Sequence, residues 1–274
     1  GRELNLCTTF GNPAVLPLLF FDALFRAPYA DASVLPKLAA YNSFYMMGFS
    51  PLFWVIGKAI MTSGDKRKEE PGLPYGNILD EYGAFSKLER AAKAVWAFVK
   101  PPPVAGALLG LLVAITPLKS LLVGDNALFK PLFSSLQKFG SSYLPCASLV
   151  LAGSLASGLG GGEAADAPAT GGLAMRVAAI CVARFLVVPM VGGAAMLSLA
   201  KLGIIPTVTA NPILWFFLLT QFSMPPAQNS VVMLQVMGKQ PAATRLSRTL
   251  FLTYAISAVP LTILFSVYMA MTGL

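Results

Sequence analysis

Apolar residues run through the chain in long uncharged stretches separated by short polar ones. Residues 4–25 are broken only by Asp22, and residues 38–57, 101–118 and 139–159 carry no charge. Past Arg176, the stretch to residue 200 is interrupted only by Arg184, while residues 202–238 and 249–274 are again uncharged. A helix needs ~20 mainly apolar residues to cross the hydrocarbon layer of a bilayer. The pattern therefore predicts an all-α membrane protein of about seven transmembrane helices. Residues 119–138 are too charged to cross and are expected to lie along one membrane surface. Residues 158–170, rich in Gly and Ala, are expected to turn at the other.

Two of the predicted spans are interrupted. In the first, Gly11-Asn12-Pro13 and then Pro17 fall inside an apolar helix, and in the sixth Met224-Pro225-Pro226-Ala227-Gln228-Asn229 does the same. A proline inside a helix removes an amide donor and clashes with the preceding turn. Unwinding frees backbone groups that lipid does not satisfy, so such backbone survives only where it lines a cavity or is buried in protein. Residues 9–17 and 224–229 are accordingly expected to be non-helical and to meet near mid-membrane. At either site alone, a simple proline kink is the competing reading. Each broken span is followed by one more span, and an odd number of crossings separates the two pairs, which gives them opposite orientation. That is the inverted-repeat plan of secondary carriers. Two spans precede the polar loop and five follow it, so three further spans are expected upstream of residue 1 to restore a 5+5 arrangement. The division expected is residues 1–61 as the end of the first repeat, 62–100 as a hydrophilic loop and 101–274 as the second repeat.

Composition agrees: 56% of the 274 residues are apolar and 12% charged, too few charges to cover a soluble domain of this size. The net charge of +8 reads as membrane topology and not as nucleic-acid binding, because Lys and Arg accumulate in cytosolic loops. With loop 62–100 in the cytosol, thirteen Lys and Arg fall on that side. Six (Arg26, Lys37, Lys119, Lys130, Lys138 and Lys201) fall opposite, and Arg184 lies inside a span. The C-terminus is then outside the cytosol. Within the loop, Ser86 and Glu89 have capping-box spacing. Residues 86–99 form an expected amphipathic helix that either lies in the interface or extends the next span.

The chemistry left open is narrow. The chain has no histidine, which removes Ser-His and Cys-His nucleophiles and histidine-liganded zinc together. Cys7, Cys146 and Cys181 lie singly in apolar stretches and read as small hydrophobes. No cofactor and no enzyme activity are expected. Small residues in the spans (Gly106, Gly110, Gly153, Ser154, Gly192, Gly193) read as helix-packing positions. Arg184 either faces the bundle as a functional charge or snorkels to the interface, and Asp22 reads as interfacial.

The residues FGNPAVLPL (10–18), the run from 101 to 155 beginning PPPVAGALLG, RFLVVP (184–189) and MPPAQNSVVMLQV (224–236) together resemble the membrane transport protein (auxin efflux carrier) family, in its PIN-LIKES branch. The resemblance implies ten helices in two inverted five-helix repeats, with broken crossover helices four and nine forming the substrate site. The spans here would be helices four to ten. The sequence GNPAVLPL departs from the glycine- and asparagine-richer run expected of the family. The substrate-binding candidates are Asn12, Pro13, Pro17, Gln221, Pro225, Pro226, Gln228 and Asn229, with Arg184 the candidate counter-charge for an anion.

What the resemblance implies is transport of a small organic anion, an auxin-like carboxylate, by alternating access in the endoplasmic reticulum membrane, with the plasma membrane the alternative. Free amides at half-helix N-termini suit a carboxylate. Phe216, Phe217 and Phe222 are available to its ring, although core or lipid contact is favoured for them. A homodimer is the candidate assembly, and the bilayer the other partner. A dicarboxylate carrier of the same family is the runner-up. A membrane receptor or scaffold is the alternative outside transport, and ligand flux separates it from a carrier.

Overall fold

The structure, a computed structural model, describes residues 2–13, 15–26, 31, 33–62, 95–96, 99, 102–124, 127–142, 145–146, 149, 152–153 and 172–274. Most of the expected amphipathic helix at 86–99, the turn at 158–170 and most of the span at 139–159 lie outside the described residues. Among those residues the fold is all-helical. Helix α1 covers Arg2–Thr9, α2 Val15–Leu24, α3 Val34–Thr62, α4 Pro102–Ile115, α5 Leu118–Leu122 and α6 Lys130–Ser141. Helix α7 (Leu173–Val182) runs through a π-helical turn (Ala183–Val187) into α8 (Val188–Lys201). Helices α9 (Pro212–Ser223), α10 (Asn229–Val236) and α11 (Gln240–Thr272) complete it.

Among the described residues three segments are long and apolar enough to cross a membrane: Val34–Met61, Leu173–Lys201 and Gln240–Thr272. They correspond to the second, fifth and seventh predicted spans. The first and sixth are each two short helices with a non-helical break. The sixth begins at Pro212 and not at residue 202. Pro206 and Pro212 keep the intervening chain from starting a helix earlier, and the Trp215 Nε1 donates to the Pro206 carbonyl (2.8 Å). Asn211 then caps α9 by accepting from the Leu214 amide (3.1 Å). The seventh starts at Gln240, nine residues before the uncharged stretch, so Arg245 and Arg248 are helical. Residues 139–141, predicted to open the fourth span, close α6 instead. At the start of α3, Asp31 accepts from the Ser33 amide (2.8 Å), a bond that holds its carboxyl below the ordinary range.

One end of the bundle is charged. Glu3 of α1 pairs with Arg176 of α7 (2.6 Å) and Arg245 of α11 (3.4 Å). The Met61 carbonyl at the end of α3 accepts from Arg2 and Lys239, each at 3.2 Å. At the far end of the same bundle α2 finishes on an Asp22–Arg26 ion pair, which places Asp22 at a helix end as its position in the sequence implied.

The core forms two apolar clusters, one on each side of the breaks. Towards the charged end Leu6, Phe10, Phe53, Ile180, Met233, Leu234 and Leu246 pack together. Towards the other end lie Phe21, Phe25, Leu38, Trp215, Phe216, Phe217 and Phe265. Phe216 and Phe217 are therefore core residues, ringed by Phe21, Phe25 and Tyr41. Cys7 is buried, as a small hydrophobe should be, but Cys146 is exposed. The small residues divide. Gly192 lets α8 lie directly on the Phe222 ring, and Gly193 faces Leu219, whereas Gly106 and Gly110 meet nothing among the described residues.

A Cβ at Gly192 would sit 2.5 Å from the Phe222 ring. Gly192→Ala is expected to cost about 1–3 kcal/mol by overpacking, read as a lower unfolding midpoint in detergent. Gly110→Ala, with no neighbour to displace among the described residues, is the control and should leave the midpoint unchanged.

Candidate functional site

The two breaks cross each other. Gly11 and Pro226 form an antiparallel bridge, flanked by the Asn12 amide donating to the Pro225 carbonyl (2.7 Å) and the Ala227 amide donating to the Phe10 carbonyl (3.0 Å). Each break thus gives the other one donor and one acceptor, and the spans run in opposite directions. The breaks are shorter than the sequence implies. Thr9 is still helical, α2 resumes at Val15, and Asn229 is already the first residue of α10. Pro17 lies in the first turn of α2, where a missing amide does least harm; it is buried near the crossing but is not part of the break.

Three further side chains serve groups at the crossing. Tyr254 of α11 donates its hydroxyl proton to the Pro226 carbonyl and accepts from Asn12 Nδ2, both at 2.9 Å. Gln221 of α9 donates through Nε2 to Asn42 Oδ1 of α3 (2.9 Å), with a longer contact to the Pro13 carbonyl (3.4 Å). Arg184 donates through Nε to the Met224 carbonyl (2.8 Å) and reaches the Thr8 carbonyl at 3.5 Å. The prolines help by omission, since Pro13, Pro225 and Pro226 bring no amide that would need a partner here.

Arg184 does not snorkel. It is 3% exposed, seated in the π-helical turn five residues before Pro189. A proline ring clashes with the carbonyl four residues earlier, here Phe185, and the widened π turn accommodates it. The same turn carries Arg184 inward. Its guanidinium passes over Gly11, where a Cβ would overlap Nη2. Only glycine leaves room for the arginine to reach both half-helix ends.

Of the sequence candidates, Asn12, Pro13, Gln221, Pro225, Pro226 and Arg184 come together at the crossing. Gln228 precedes α10 and is 9% exposed, and its Oε1 and the Ser230 Oγ have no hydrogen-bond partner among the described residues. Asn229 beside it is exposed. Tyr254 and Asn42 were missed. Asn42 was legible as a buried amide inside an uncharged span, a polar group of the kind that links helices in lipid. Tyr254 carried no such mark, since tyrosine is unremarkable in an apolar helix.

The sequence has counterparts among known proteins. The family model described as membrane transport protein matches residues 2–265. The chain belongs to the membrane transport protein (auxin efflux carrier) family. Its relatives in this family include Protein PIN-LIKES 5 of Arabidopsis thaliana, 30% identical over 61% of this chain and 39% of that protein. Protein PIN-LIKES 1 of Arabidopsis thaliana is 28% identical over 94% of this chain and 56% of its own length. Protein PIN-LIKES 3, from the same plant, is 28% identical over 94% of this chain and 69% of its own length. The chain thus spans about half the length of the curated relatives it matches. No solved structure matches it. Membership in this family makes the chain an integral membrane protein of a transporter family and not of an enzyme family.

Gly11→Ala is expected to push the guanidinium off the Thr8 and Met224 carbonyls. Tyr254→Phe leaves Asn12 Nδ2 and the Pro226 carbonyl without their shared partner. Interhelical hydrogen bonds in lipid are worth about 1–2 kcal/mol, so Tyr254→Phe should lower the unfolding midpoint measurably. Gly11→Ala should lower it further, because it adds a clash.

Proposed function

We propose that this chain is part of a carrier for a small organic anion, an auxin-like carboxylate, working by alternating access. The observation that carries the reading is the backbone pairing of two oppositely directed broken helices between two apolar clusters. Non-helical backbone at this depth is the usual setting for a transported ligand. The N-terminal ends of α2 and α10 lie within a few residues of the Gly11–Pro226 bridge and present partial positive charge to it. Asn12, Pro13, Pro17, Gln221, Pro225, Pro226, Gln228 and Asn229 would form the binding region, and Arg184 would supply positive charge beside it. The full carrier would have ten helices in two inverted five-helix repeats, of which this chain holds seven, joined by a cytosolic loop at 62–100. It would reside in the endoplasmic reticulum membrane, as a monomer or a homodimer.

Gln228 at the start of α10 would serve a carboxylate through its Nε2 donors, while its buried Oε1, without a partner among the described residues, suits a donor on the substrate such as an indole N–H. Gln228→Ala and Asn229→Ala, in the full-length protein, are expected to weaken carboxylate affinity about tenfold to a hundredfold. That is the worth of one hydrogen bond to a charged group, ~1.5–3 kcal/mol. Radiolabelled uptake of indole-3-acetate against a dicarboxylate panel measures both the effect and the substrate class. Normal affinity in both variants would remove the start of α10 from the site. For topology, a glycosylation tag at residue 70 should remain unmodified, because that loop is expected in the cytosol.

A further inference from the structure

We infer that Arg184 is a positioning residue that sets the charge of the crossing and makes the site selective for a monoanion. The inference rests on the carrier reading but adds a cause for its charge preference. Four half-helix ends meet at the crossing. The C-terminal ends of α1 and α9 each carry roughly half a negative charge, and the N-terminal ends of α2 and α10 roughly half a positive one. Those four cancel.

What remains is the guanidinium. Arg184 lies on the two negative ends, through the Met224 carbonyl closing α9 (2.8 Å) and the Thr8 carbonyl in the last turn of α1 (3.5 Å). The three described carboxylates are engaged elsewhere: Glu3 with Arg176 and Arg245, Asp22 with Arg26, and Asp31 with the Ser33 amide. No described acid therefore offsets Arg184. By occupying the negative ends, its charge leaves the two positive ends uncancelled, a net charge of about +1 at the crossing. A monocarboxylate neutralises that charge. A neutral molecule leaves it unmet, and a dicarboxylate overshoots it in a medium where either imbalance is costly. Arg184 does this through its charge, with Nε and Nη1 turned to backbone carbonyls and Nη2 lying over Gly11.

The test uses R184Q, which keeps a hydrogen-bond donor but removes the charge, and R184K, which keeps the charge. Each is made in the full-length protein. Uptake is compared for indole-3-acetate, its uncharged amide indole-3-acetamide, and succinate. Wild type and R184K should prefer the monocarboxylate to the amide, and R184Q should lose about tenfold of that preference. The loss should appear as a raised KM for the carboxylate, with KM for the amide unchanged. Equal losses for all three substrates, or an undiminished preference in R184Q, would overturn the inference. If wild type carries none of the indoles, the substrate reading fails on its own. The inference is then decided by unfolding midpoints in acetate and acetamide. Acetate should stabilise wild type and R184K but not R184Q, and an acetate effect that is equal in R184Q, or absent from wild type, overturns it.

Discussion

Hydrocarbon offers no hydrogen bonds, so every backbone group released where a transmembrane helix unwinds must find its partner inside the protein. The rest of this structure is arranged around that constraint. Each break satisfies part of the other, through the Asn12–Pro225 and Ala227–Phe10 bonds. Arg184, Gln221 and Tyr254 serve carbonyls that the other break does not reach. Because these side chains come from the π turn, α9 and α11, neither broken span is stable without its neighbours. Proline at three of the break positions reduces the number of amides in need of a partner while it enforces the break.

The crossing also explains how the core is divided. A packed polar centre separates the Phe21–Phe265 cluster from the Leu6–Leu250 cluster. Each half-helix is anchored in only one of them: α1 and α10 towards the charged end, α2 and α9 towards the other. On the charged side, Glu3 holds α1 to both α7 and α11, so the first half-helix is tied at its outer end as well as at the crossing.

Gly11 and Arg184 illustrate how far apart the parts of one device lie in the chain. Neither residue explains itself. An arginine in a span reads equally well as a snorkelling side chain, and a glycine before Asn-Pro reads as part of a turn. Together they form a fit in which the guanidinium occupies the volume of the missing side chain and bonds the ends of two helices.

The sequence by itself determined the membrane setting, the helical class, the positions of the two breaks and their opposite orientation. Those follow from local facts: the length of uncharged runs and the donors that proline removes. Three long apolar helices appear where uncharged runs predict them, with ends shifted by Pro212 and by charged residues that a helix end at the interface tolerates. Only the tertiary structure decided that the breaks pair with each other, which of the polar residues serve them, and that Arg184 turns inward. Pairing depends on contacts across more than two hundred residues of sequence, as between Asn12 and Tyr254, and no local pattern encodes such a partner. It also decided that Pro17 and Asn229 belong to helices and not to the breaks. How soon a helix resumes after a proline depends on whether its first amides are satisfied, and the neighbouring elements control that.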